Sequence, residues 1–474
     1  MCSISPNNQK IENNSYYQEK ELNEKCAVVG VFNNEEASKT AYFSLFSMQH
    51  RGQEAAGISS SDGEKIHMIK DRGLVTQVFD DDKIKKLAGH IAIGHTRYST
   101  AGNDSILDAQ PVFARFALGE IAIAHNGNFT NTQEVRNQLI EKGAIFQTFM
   151  DTENLIHLIA KSEEKDLLNR VIDAFKKVKG AYSIVISTKD KMFAMRDPHG
   201  FRPLSLGRLD KGYIVASETC AFELVGASYI RDIRPGELMI FEKDKAPQSI
   251  QLFESTPNHC VFELVYFARP DSNIFGQSVY ESRKQMGKEL AKEKPIEADM
   301  VIPVPDGGVP AALGYAEESK IPFNMAIMRN HYVGRTFIEP SQKTRDLKVK
   351  MKLSPIKELI AGKKIVVIDD SIVRGTTSRQ IVRMLKEAGA KEVHMRISSP
   401  PTAHPCYYGI DSPSSSELIA SKYDVDSTAN YIEADSLAYL SEEGLMKSVV
   451  GDTNSYCKAC FNGDYVVPHE NYLD

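Results

Sequence analysis

The spacing of short apolar segments changes near residue 285, and this change constrains the fold more than any other feature of the sequence. Beyond it, predicted strands and helices alternate over residues 299–304, 309–320, 364–369, 376–389 and 391–397. Parallel strands that neighbour each other need a crossover helix between them, and such units are right-handed. The second half is therefore predicted to be an α/β domain with a doubly wound parallel sheet.

Earlier apolar runs follow one another mostly through turns. They predict strands over residues 26–32, 91–94, 120–125, 181–187, 212–217 and 236–242, with helices over 39–50, 131–142, 151–161 and 167–177. This mixture indicates an α+β domain built on antiparallel sheets. A polar stretch with two prolines at 245–260 marks the boundary. We therefore predict one domain over 26–255 and a second over 256–474.

Residues 1–25 are rich in Asn, Gln, Glu and Lys and lack the apolar core of a signal peptide. Such a segment cannot bury enough apolar surface to order itself, so we expect it to be disordered. The net charge of −6 disfavours nucleic acid as the main partner. No apolar run is long enough to cross a membrane. We expect a cytoplasmic protein.

The predicted strand at 364–369 ends in two carboxylates, Asp369 and Asp370, and a short loop then leads to Gly375, Thr376, Thr377 and Ser378. These four residues begin a predicted helix, where unpaired N–H groups and hydroxyls form an anion site. Two carboxylates beside a phosphate suit ribose hydroxyls and magnesium. Taken alone, the pattern also fits a plain strand-end turn with capping side chains.

The whole string from Val366 to Ser378 resembles the phosphoribosyl pyrophosphate (PRPP) motif of type I phosphoribosyltransferases. The resemblance implies that Asp369 and Asp370 face the ribose and magnesium while residues 375–378 hold the 5-phosphate. In the loop Pro305-Asp306-Gly307, the family commonly has serine at the last position, so the magnesium contact of Gly307 is in question. The basic segment 329–352 is expected to close over pyrophosphate, although a solvated loop has the same composition.

In the first half, Cys26 is followed by motifs beginning at His50, Gly94, His125 and Asp151. Their sequences are His-Arg-Gly-Gln-Glu-Ala-Ala-Gly, Gly-His-Thr-Arg-Tyr-Ser-Thr, His-Asn-Gly-Asn-Phe and Asp-Thr-Glu. A lone cysteine is more often an inert buried thiol. The ordered set, however, resembles class II glutamine amidotransferases, which are N-terminal-nucleophile hydrolases.

That resemblance implies that Cys26 is the first residue of the mature chain and that residues 1–25 are a propeptide. A free α-amino group, with a pKa of about 7.7–8.0, can accept the thiol proton, whereas an amide nitrogen cannot. The resemblance also implies that Arg97 binds the α-carboxylate of glutamine and Asp151 its α-ammonium. The Asn126 side chain and the Gly127 N–H are expected to form the oxyanion hole.

The order of the two domains resembles that of the glutamine-dependent amidophosphoribosyltransferases. The family reaction converts PRPP, glutamine and water into 5-phosphoribosylamine, glutamate and pyrophosphate at the first committed step of purine biosynthesis, with ammonia passed internally between the sites. The resemblance implies feedback by purine nucleotides and a homotetramer. A glucosamine-6-phosphate synthase or a silent nucleotide-binding regulator are the alternatives. Residues 369–378 disfavour the first, and the retained amidotransferase motifs disfavour the second.

Four of the seven cysteines, Cys260, Cys406, Cys457 and Cys460, make up a candidate metal site. Only the Cys-x-x-Cys pair at 457 and 460 has ligand spacing by itself, and spacing alone cannot separate zinc from iron. The resemblance to the iron–sulfur subgroup of these amidotransferases implies that all four hold a [4Fe–4S] cluster. Core cysteines without a ligand are the plain alternative.

Overall fold

The structure is a computed structural model that describes residues 23–24, 26–97, 106–331 and 352–469. Its first half contains two stacked antiparallel sheets, and its second half contains a parallel sheet with helices on both faces. Both fold classes agree with the sequence predictions. Within the described ranges, no helix combines the length and apolar character that crossing a bilayer requires.

The two antiparallel sheets of the first half enclose a shared apolar layer. The first sheet has seven strands, in spatial order Ser228–Asp232, Ser205–Arg208, Tyr213–Ala216, Ala27–Phe32, Ile91–Arg97, Ala55–Ser61 and Ile66–Arg72. The second has six, in the order Gln248–Gln251, Glu237–Glu242, Lys191–Arg196, Gly180–Ser187, Gly119–Phe129 and Val112–Phe116. Alternate side chains of both sheets meet between them, as Val28 and Ala124 do.

Helices cover the outer faces of these sheets. Ala37–Ser47 packs on the first sheet through Ala41 and Leu45. The second sheet is covered by Thr132–Glu141, Asp151–Lys161 and Leu167–Phe175. Shorter helices in this half are Val75–Val78, Asp81–Lys86 and Cys220–Leu224. The result is a four-layer arrangement of helix, sheet, sheet and helix.

The parallel sheet of the second half contains Met300–Pro303, Lys364–Asp369, Glu392–Ile397 and Ser436–Tyr439 in that spatial order. One face is covered by Val279–Glu293 and Val309–Ser319, and the other by Thr376–Glu387. Gly389, with φ of +95°, follows the last of these helices in the left-handed conformation that often ends a helix. The other α-helices in the described part of this half are Lys357–Ile360, Val425–Ile432, Glu442–Lys447 and Ala459–Asn462, and Glu263–Phe267 forms a π-helical turn.

The described residues also form four pairs of very short strands, two of which join segments far apart in the sequence. His259–Cys260 pairs in parallel with Tyr456–Cys457, and Asn23–Glu24 pairs with Ile410–Asp411. Antiparallel pairs also join Asn273–Ile274 to Gln277–Ser278 and Ile327–Arg329 to Leu353–Pro355. Of residues 1–25, predicted to be disordered, only Asn23 and Glu24 are described, and they form this short strand.

Candidate active site

Cys26 and Arg97 lie at the same end of two paired strands in the first sheet. Ala27 pairs with Thr96, and this register sets Cys26 opposite Arg97. Cys26 is 8% exposed. Arg97 shares its strand face with Ile93, which packs between the two sheets. The predicted nucleophile and the predicted carboxylate ligand therefore come together at one edge of the intersheet layer.

Asn126 reaches the same intersheet layer from the second sheet. It follows Ala122 and Ala124 at strand spacing, and both alanines pack between the sheets. The Asn126 side chain is fully buried, and among the described residues neither of its amide atoms has a hydrogen-bond partner. Buried amides are nearly always paired, so an orphaned amide in this position is suited to a ligand oxygen.

A hydrogen bond between the sheets fixes the residue before Asn126. His95 Nε2 lies 3.1 Å from the carbonyl oxygen of His125. Burial lowers the pKa of His95 to about 3, so its ring is neutral at physiological pH and donates one proton. The Gln110 side chain makes two further bonds to the His125 backbone. The backbone that leads into Asn126 is therefore held from several directions.

Asp151 begins the helix Asp151–Lys161 and lies against the end of the Asn126 strand. Its carboxylate accepts the N–H of Phe129 at 2.9 Å and lies 3.4 Å from His125 Nδ1. Burial alone raises the pKa of such a carboxyl, but the His125 ring and the Phe129 N–H outweigh burial and lower the pKa of Asp151. Asp151 is therefore ionised before any ligand binds, as an ammonium ligand requires.

Among the described residues, the Arg97 side chain makes one hydrogen bond. Its guanidinium donates to the backbone carbonyl of Asp108. The residues that follow it in the motif, Tyr98, Ser99 and Thr100, lie outside the described residues.

A buried group of charges connects Cys26 to the second half of the chain. Arg51 Nε donates to the Cys26 carbonyl at 3.3 Å, and the Cys26 N–H donates to the Arg51 carbonyl at 3.3 Å. The same guanidinium binds Glu218 and, at 2.8 Å, Glu263. Arg202 binds Glu263 at 2.7 Å. All four charged side chains are fully buried, and Glu263 belongs to the second half.

The two carboxylates of this group remain charged despite burial. For Glu218, burial raises the pKa, but His50 and Arg51 together hold it well below its ordinary value. For Glu263, Arg202 and Arg51 likewise outweigh burial and lower the pKa. Two arginines therefore balance two glutamates in the interior, an arrangement that tolerates burial only while all partners are present.

Asp369 and Asp370 lie at the carboxyl end of the central parallel strand Lys364–Asp369 and are 9% and 7% exposed. Burial and the neighbouring Asp370 raise the pKa of Asp369 well above its ordinary value. Burial raises the pKa of Asp370 to about 6. Ligands of open α/β sheets bind at this strand end. Two adjacent carboxylates that resist ionisation are suited to a cation.

The predicted phosphate loop follows these carboxylates and opens the helix Thr376–Glu387. Gly375 precedes it with φ of +77°, and a Cβ there would lie 2.7 Å from Ile419. Thr377 is exposed, Thr376 is half-buried and Ser378 is buried. The N–H groups of this first turn are available to an anion in the way that helix starts provide.

Gly307 lies directly against the carboxylate pair. A Cβ on this residue would be 2.3 Å from Asp370 Oδ2. Any side chain at this position therefore requires Asp370 to move, and glycine leaves only backbone atoms near the carboxylate. Of the basic segment 329–352, residues 332–351 lie outside the described residues. Arg329 is described and binds Asp306.

The four cysteines predicted to hold a cluster come from three remote segments that meet in the structure. Cys260 pairs with Cys457 across the parallel strands His259–Cys260 and Tyr456–Cys457. The Cys460 carbonyl accepts the N–H groups of Ala403 and His404, next to Cys406. Burial raises the pKa of Cys457 to about 12, and burial together with the three neighbouring thiols raises the pKa of Cys460 well above its ordinary value.

The spacing of possible ligands bears on the kind of metal. Among the described residues, no group of three or more His, Cys, Asp or Glu side chains is arranged to hold a metal ion. A tetrahedral zinc ion with Zn–S bonds of about 2.3 Å needs sulfurs roughly 3.8 Å apart. A cluster of several iron atoms accepts a wider separation of its four thiolates.

Sequence reasoning assigned no role to Glu218, Glu263, Arg202 or the segment 407–409, all of which contact the first site or its neighbours. One signal was available for Glu263, because it interrupts the apolar run from Val261 to Phe267. A carboxylate inside an apolar run indicates a buried partner. Nothing local identifies that partner, because Arg51 is more than 200 residues away in the sequence.

Two family models match the chain, a glutamine amidotransferase domain over residues 95–223 and a phosphoribosyl transferase domain over residues 277–405. Amidophosphoribosyltransferase 2 of Arabidopsis thaliana is 51% identical over 96% of this chain and 81% of that protein. The Bacillus subtilis amidophosphoribosyltransferase is 48% identical over 96% of both chains.

Solved structures agree over the same length. The B. subtilis glutamine PRPP amidotransferase complexed with ADP and GMP matches with a TM-score of 0.89 and 46% identity, over 95% of this chain and 98% of that one. A structure described as the allosteric regulatory enzyme of purine biosynthesis matches with a TM-score of 0.90 and 47% identity, over the same shares. On these identities and this coverage, the chain belongs to the amidophosphoribosyltransferase family.

Proposed function

We propose that this protein makes 5-phosphoribosylamine, glutamate and pyrophosphate from PRPP, glutamine and water, at the first committed step of purine biosynthesis. The observation that carries the proposal is the fully buried Asn126 amide, which has no hydrogen-bond partner among the described residues and lies in the same intersheet layer as Cys26. In the same chain, a strand of the parallel sheet ends at Asp369 and Asp370. One chain thus holds an acyl-transfer centre and a phosphoribosyl site.

In the first half-reaction, the Cys26 sulfur attacks the glutamine amide carbon, ammonia leaves, and water hydrolyses the resulting thioester. Arg97 and Asp151 hold the α-carboxylate and the α-ammonium, so that the amide lies at the thiol. Asn126 and the Gly127 N–H stabilise the oxyanion, an effect worth about 10²–10³ in rate for one donor. The ammonia passes internally to the second site.

Maturation at Cys26 belongs to the same proposal. Residues 1–25 act as a propeptide, and their removal converts the Cys26 amide nitrogen into an amine that can accept the thiol proton. The Arg51 carbonyl, 3.3 Å from that nitrogen, supports the proposal because it can orient the new amine.

In the second half-reaction, ammonia displaces pyrophosphate at C1 of the ribose. The first turn of Thr376–Glu387 binds the 5-phosphate, and Asp369 and Asp370 face the ribose hydroxyls. The raised pKa values of both carboxyls support a cation at this site, and magnesium bound there would neutralise charge on the pyrophosphate. Gly307 contributes backbone atoms at most to this cation.

Cys260, Cys406, Cys457 and Cys460 hold a [4Fe–4S] cluster with a structural role in this proposal. Their convergence from three segments supports it, as do the raised pKa values of Cys260 and Cys460, because thiols with high pKa values become thiolates readily only beside a cation. A cluster there would join the domain boundary at Cys260 to the C-terminal residues.

The B. subtilis relative was solved with ADP and GMP. On this basis we propose that purine nucleotides inhibit this enzyme. The family resemblance also leads us to propose a homotetramer. We also propose a cytoplasmic location. The described cysteines form no disulfide, which suits a reducing compartment.

Purified mature protein tests these points together. We expect glutamate release from glutamine to rise when PRPP and magnesium are added, with one pyrophosphate per glutamate. The intact mass should correspond to a chain that begins at Cys26. Protein purified without air should contain four iron atoms and four sulfide ions per chain. Full activity with Met1 retained would overturn the maturation step, and stoichiometric zinc without sulfide would overturn the cluster.

A further inference from the structure

Gly127 lies in the strand Gly119–Phe129 beside Tyr182 of the neighbouring strand. Tyr182 directs both its backbone groups to Asp197 on its other side. Its N–H donates to Asp197 Oδ2 at 3.1 Å, and its carbonyl accepts the Asp197 N–H at 2.9 Å. In an antiparallel ladder, residue pairs alternate between bonded and non-bonded, so Gly127 and Tyr182 form a non-bonded pair. The Gly127 N–H therefore points away from that strand, as an oxyanion donor must.

A segment of the second half contacts this strand at the same point. A Cβ on Gly409 would lie 2.8 Å from Gly127 Cα and 3.4 Å from the Asn128 nitrogen. The Asn128 side-chain amide donates to the Tyr407 carbonyl at 3.1 Å. The backbones of residues 127–128 and 407–409 therefore pack against each other about 280 residues apart in the sequence.

The residue between these two contacts is fixed by its own surroundings. The Tyr408 ring stacks on Phe201 with centroids 4.3 Å apart and is 3% exposed. Its hydroxyl donates to the Val467 carbonyl at 2.8 Å and accepts the Val467 N–H at 2.9 Å. Segment 407–409 is thus a rigid surface, and rigid supports are what hold catalytic donors to within about 0.5 Å.

We infer that residues 407–409 are a positioning element for the oxyanion hole, so that the glutaminase centre is complete only when the second half is folded against it. The inference rests on the oxyanion hole proposed above. Gly409 is essential to it because only glycine permits this approach. Tyr407 contributes its carbonyl and Tyr408 fixes the segment.

The test compares Gly409→Ala with Gly451→Ala in the mature, metal-loaded enzyme. Both glycines have nearly the same positive φ, +96° and +94°, so an added methyl meets an unfavourable φ in both. A Cβ on Gly451 meets nothing within 4 Å, whereas one on Gly409 meets Gly127. The difference between the two variants therefore isolates the contact.

We expect Gly409→Ala to lower kcat for glutamine hydrolysis by about 10- to 100-fold, since part of an oxyanion-hole effect is lost. KM for glutamine should stay within about twofold, because Arg97 and Asp151 are untouched and the hole acts in the transition state. Asn128→Ala, which removes one hydrogen bond, should lower kcat by about three- to tenfold. Gly451→Ala should match wild type.

Three further measurements exclude a general folding defect. Ammonia-dependent synthesis, iron and sulfide content, and the rate of Cys26 alkylation by iodoacetamide should all equal wild type in Gly409→Ala. Alkylation needs the thiolate but forms no oxyanion, so it reports an intact nucleophile. Equal loss of the ammonia-dependent reaction, or wild-type glutamine hydrolysis in Gly409→Ala, would overturn the inference.

Asn126→Ala separates this inference from the proposal beneath it. We expect about 10²- to 10³-fold loss of glutamine hydrolysis. Unchanged hydrolysis in Asn126→Ala would remove the proposed oxyanion hole itself. A defective Asn126→Ala beside a fully active Gly409→Ala would leave the hole in place and remove only the positioning role of 407–409.

Discussion

The carboxylates of the two candidate sites have opposite pKa shifts. Burial raises the pKa of any carboxyl, yet Asp151 has a lowered pKa because His125 and the Phe129 N–H outweigh burial. Asp369 and Asp370 have raised pKa values because burial and their proximity act together. The glutaminase centre thus carries its charges and its open amide before substrate arrives. The carboxylates of the phosphoribosyl site, by contrast, favour full ionisation only when a cation binds beside them.

The largest expected effect comes from removing the nucleophile of the glutaminase centre, whose charges are in place before substrate binds. Cys26→Ala should lower glutamine-dependent synthesis by at least about a thousandfold, because no other group forms the thioester. Synthesis from concentrated ammonium should remain near wild type. Product formation with each nitrogen source is the measurement. Cys220→Ala, another buried thiol of the same half, is the control and should be active with both.

Removing charge from the phosphoribosyl site should lower synthesis with either nitrogen source. Asp369→Asn combined with Asp370→Asn should lower synthesis from glutamine and from ammonium by at least about a hundredfold, because magnesium and ribose lose their ligands. Asp166→Asn, which removes a helix-capping carboxylate in the first half, is the control. Near-normal ammonia-dependent turnover in the double variant would refute the PRPP assignment.

A smaller effect should appear when the charge group between the halves is broken. Glu263→Gln leaves two buried arginines facing one carboxylate, which costs about 3–5 kcal/mol of stability. The lowest unfolding midpoint should fall by several degrees. Glu443→Gln, which breaks only an exposed pair with Lys447, should not change it. Equal unfolding midpoints for Glu263→Gln and wild type would show that the fold around the glutaminase centre does not depend on the ion pairs of Glu263.

The smallest effect concerns the pH dependence of glutamine binding. Asp151 has a lowered pKa, so it stays ionised and KM for glutamine should be flat from pH 8 to pH 5. His125→Gln removes the ring that lowers this pKa, so burial raises it and protonation should increase KM several-fold at pH 5. His157→Gln, on the same helix, is the control. A KM that does not change with pH in His125→Gln would show that the Phe129 N–H, and not His125, lowers the pKa of Asp151.

Local patterns predicted the elements that carry the phosphoribosyl site. The strand Lys364–Asp369 and the start of the helix at Thr376 agree with the predictions at both bounds, since an apolar run followed by a glycine loop is a local signal. The strand predicted over 120–125 was too short, because Asn126, Gly127 and Asn128 interrupt its apolar pattern. The strand continues to Phe129, since backbone pairing to Gly180 does not depend on side-chain polarity.

The parts of the glutaminase centre that come from far along the chain could not be predicted. Gly409 meets Gly127 through backbone atoms, and Tyr407 accepts the Asn128 side-chain amide through its backbone carbonyl, so neither contact leaves a pattern around residues 407–409 in the sequence. The helix predicted over 39–50 ends at Ser47 for a similar reason. A 3-10 turn from Gln49 to Arg51 follows it and delivers Arg51 to Cys26. Tertiary partners decided these positions.

The buried charges between the halves limit how such enzymes can exchange parts during evolution. An amidotransferase domain cut from this chain would carry Arg51, Arg202 and Glu218 on a newly exposed face without Glu263. A recombination event that supplied a different ammonia-accepting domain would therefore succeed only if the newcomer brought a carboxylate to the position of Glu263. The interface between the two domains is therefore selective. The ammonia-producing domain keeps its buried charges balanced only beside an ammonia-accepting domain that supplies such a carboxylate.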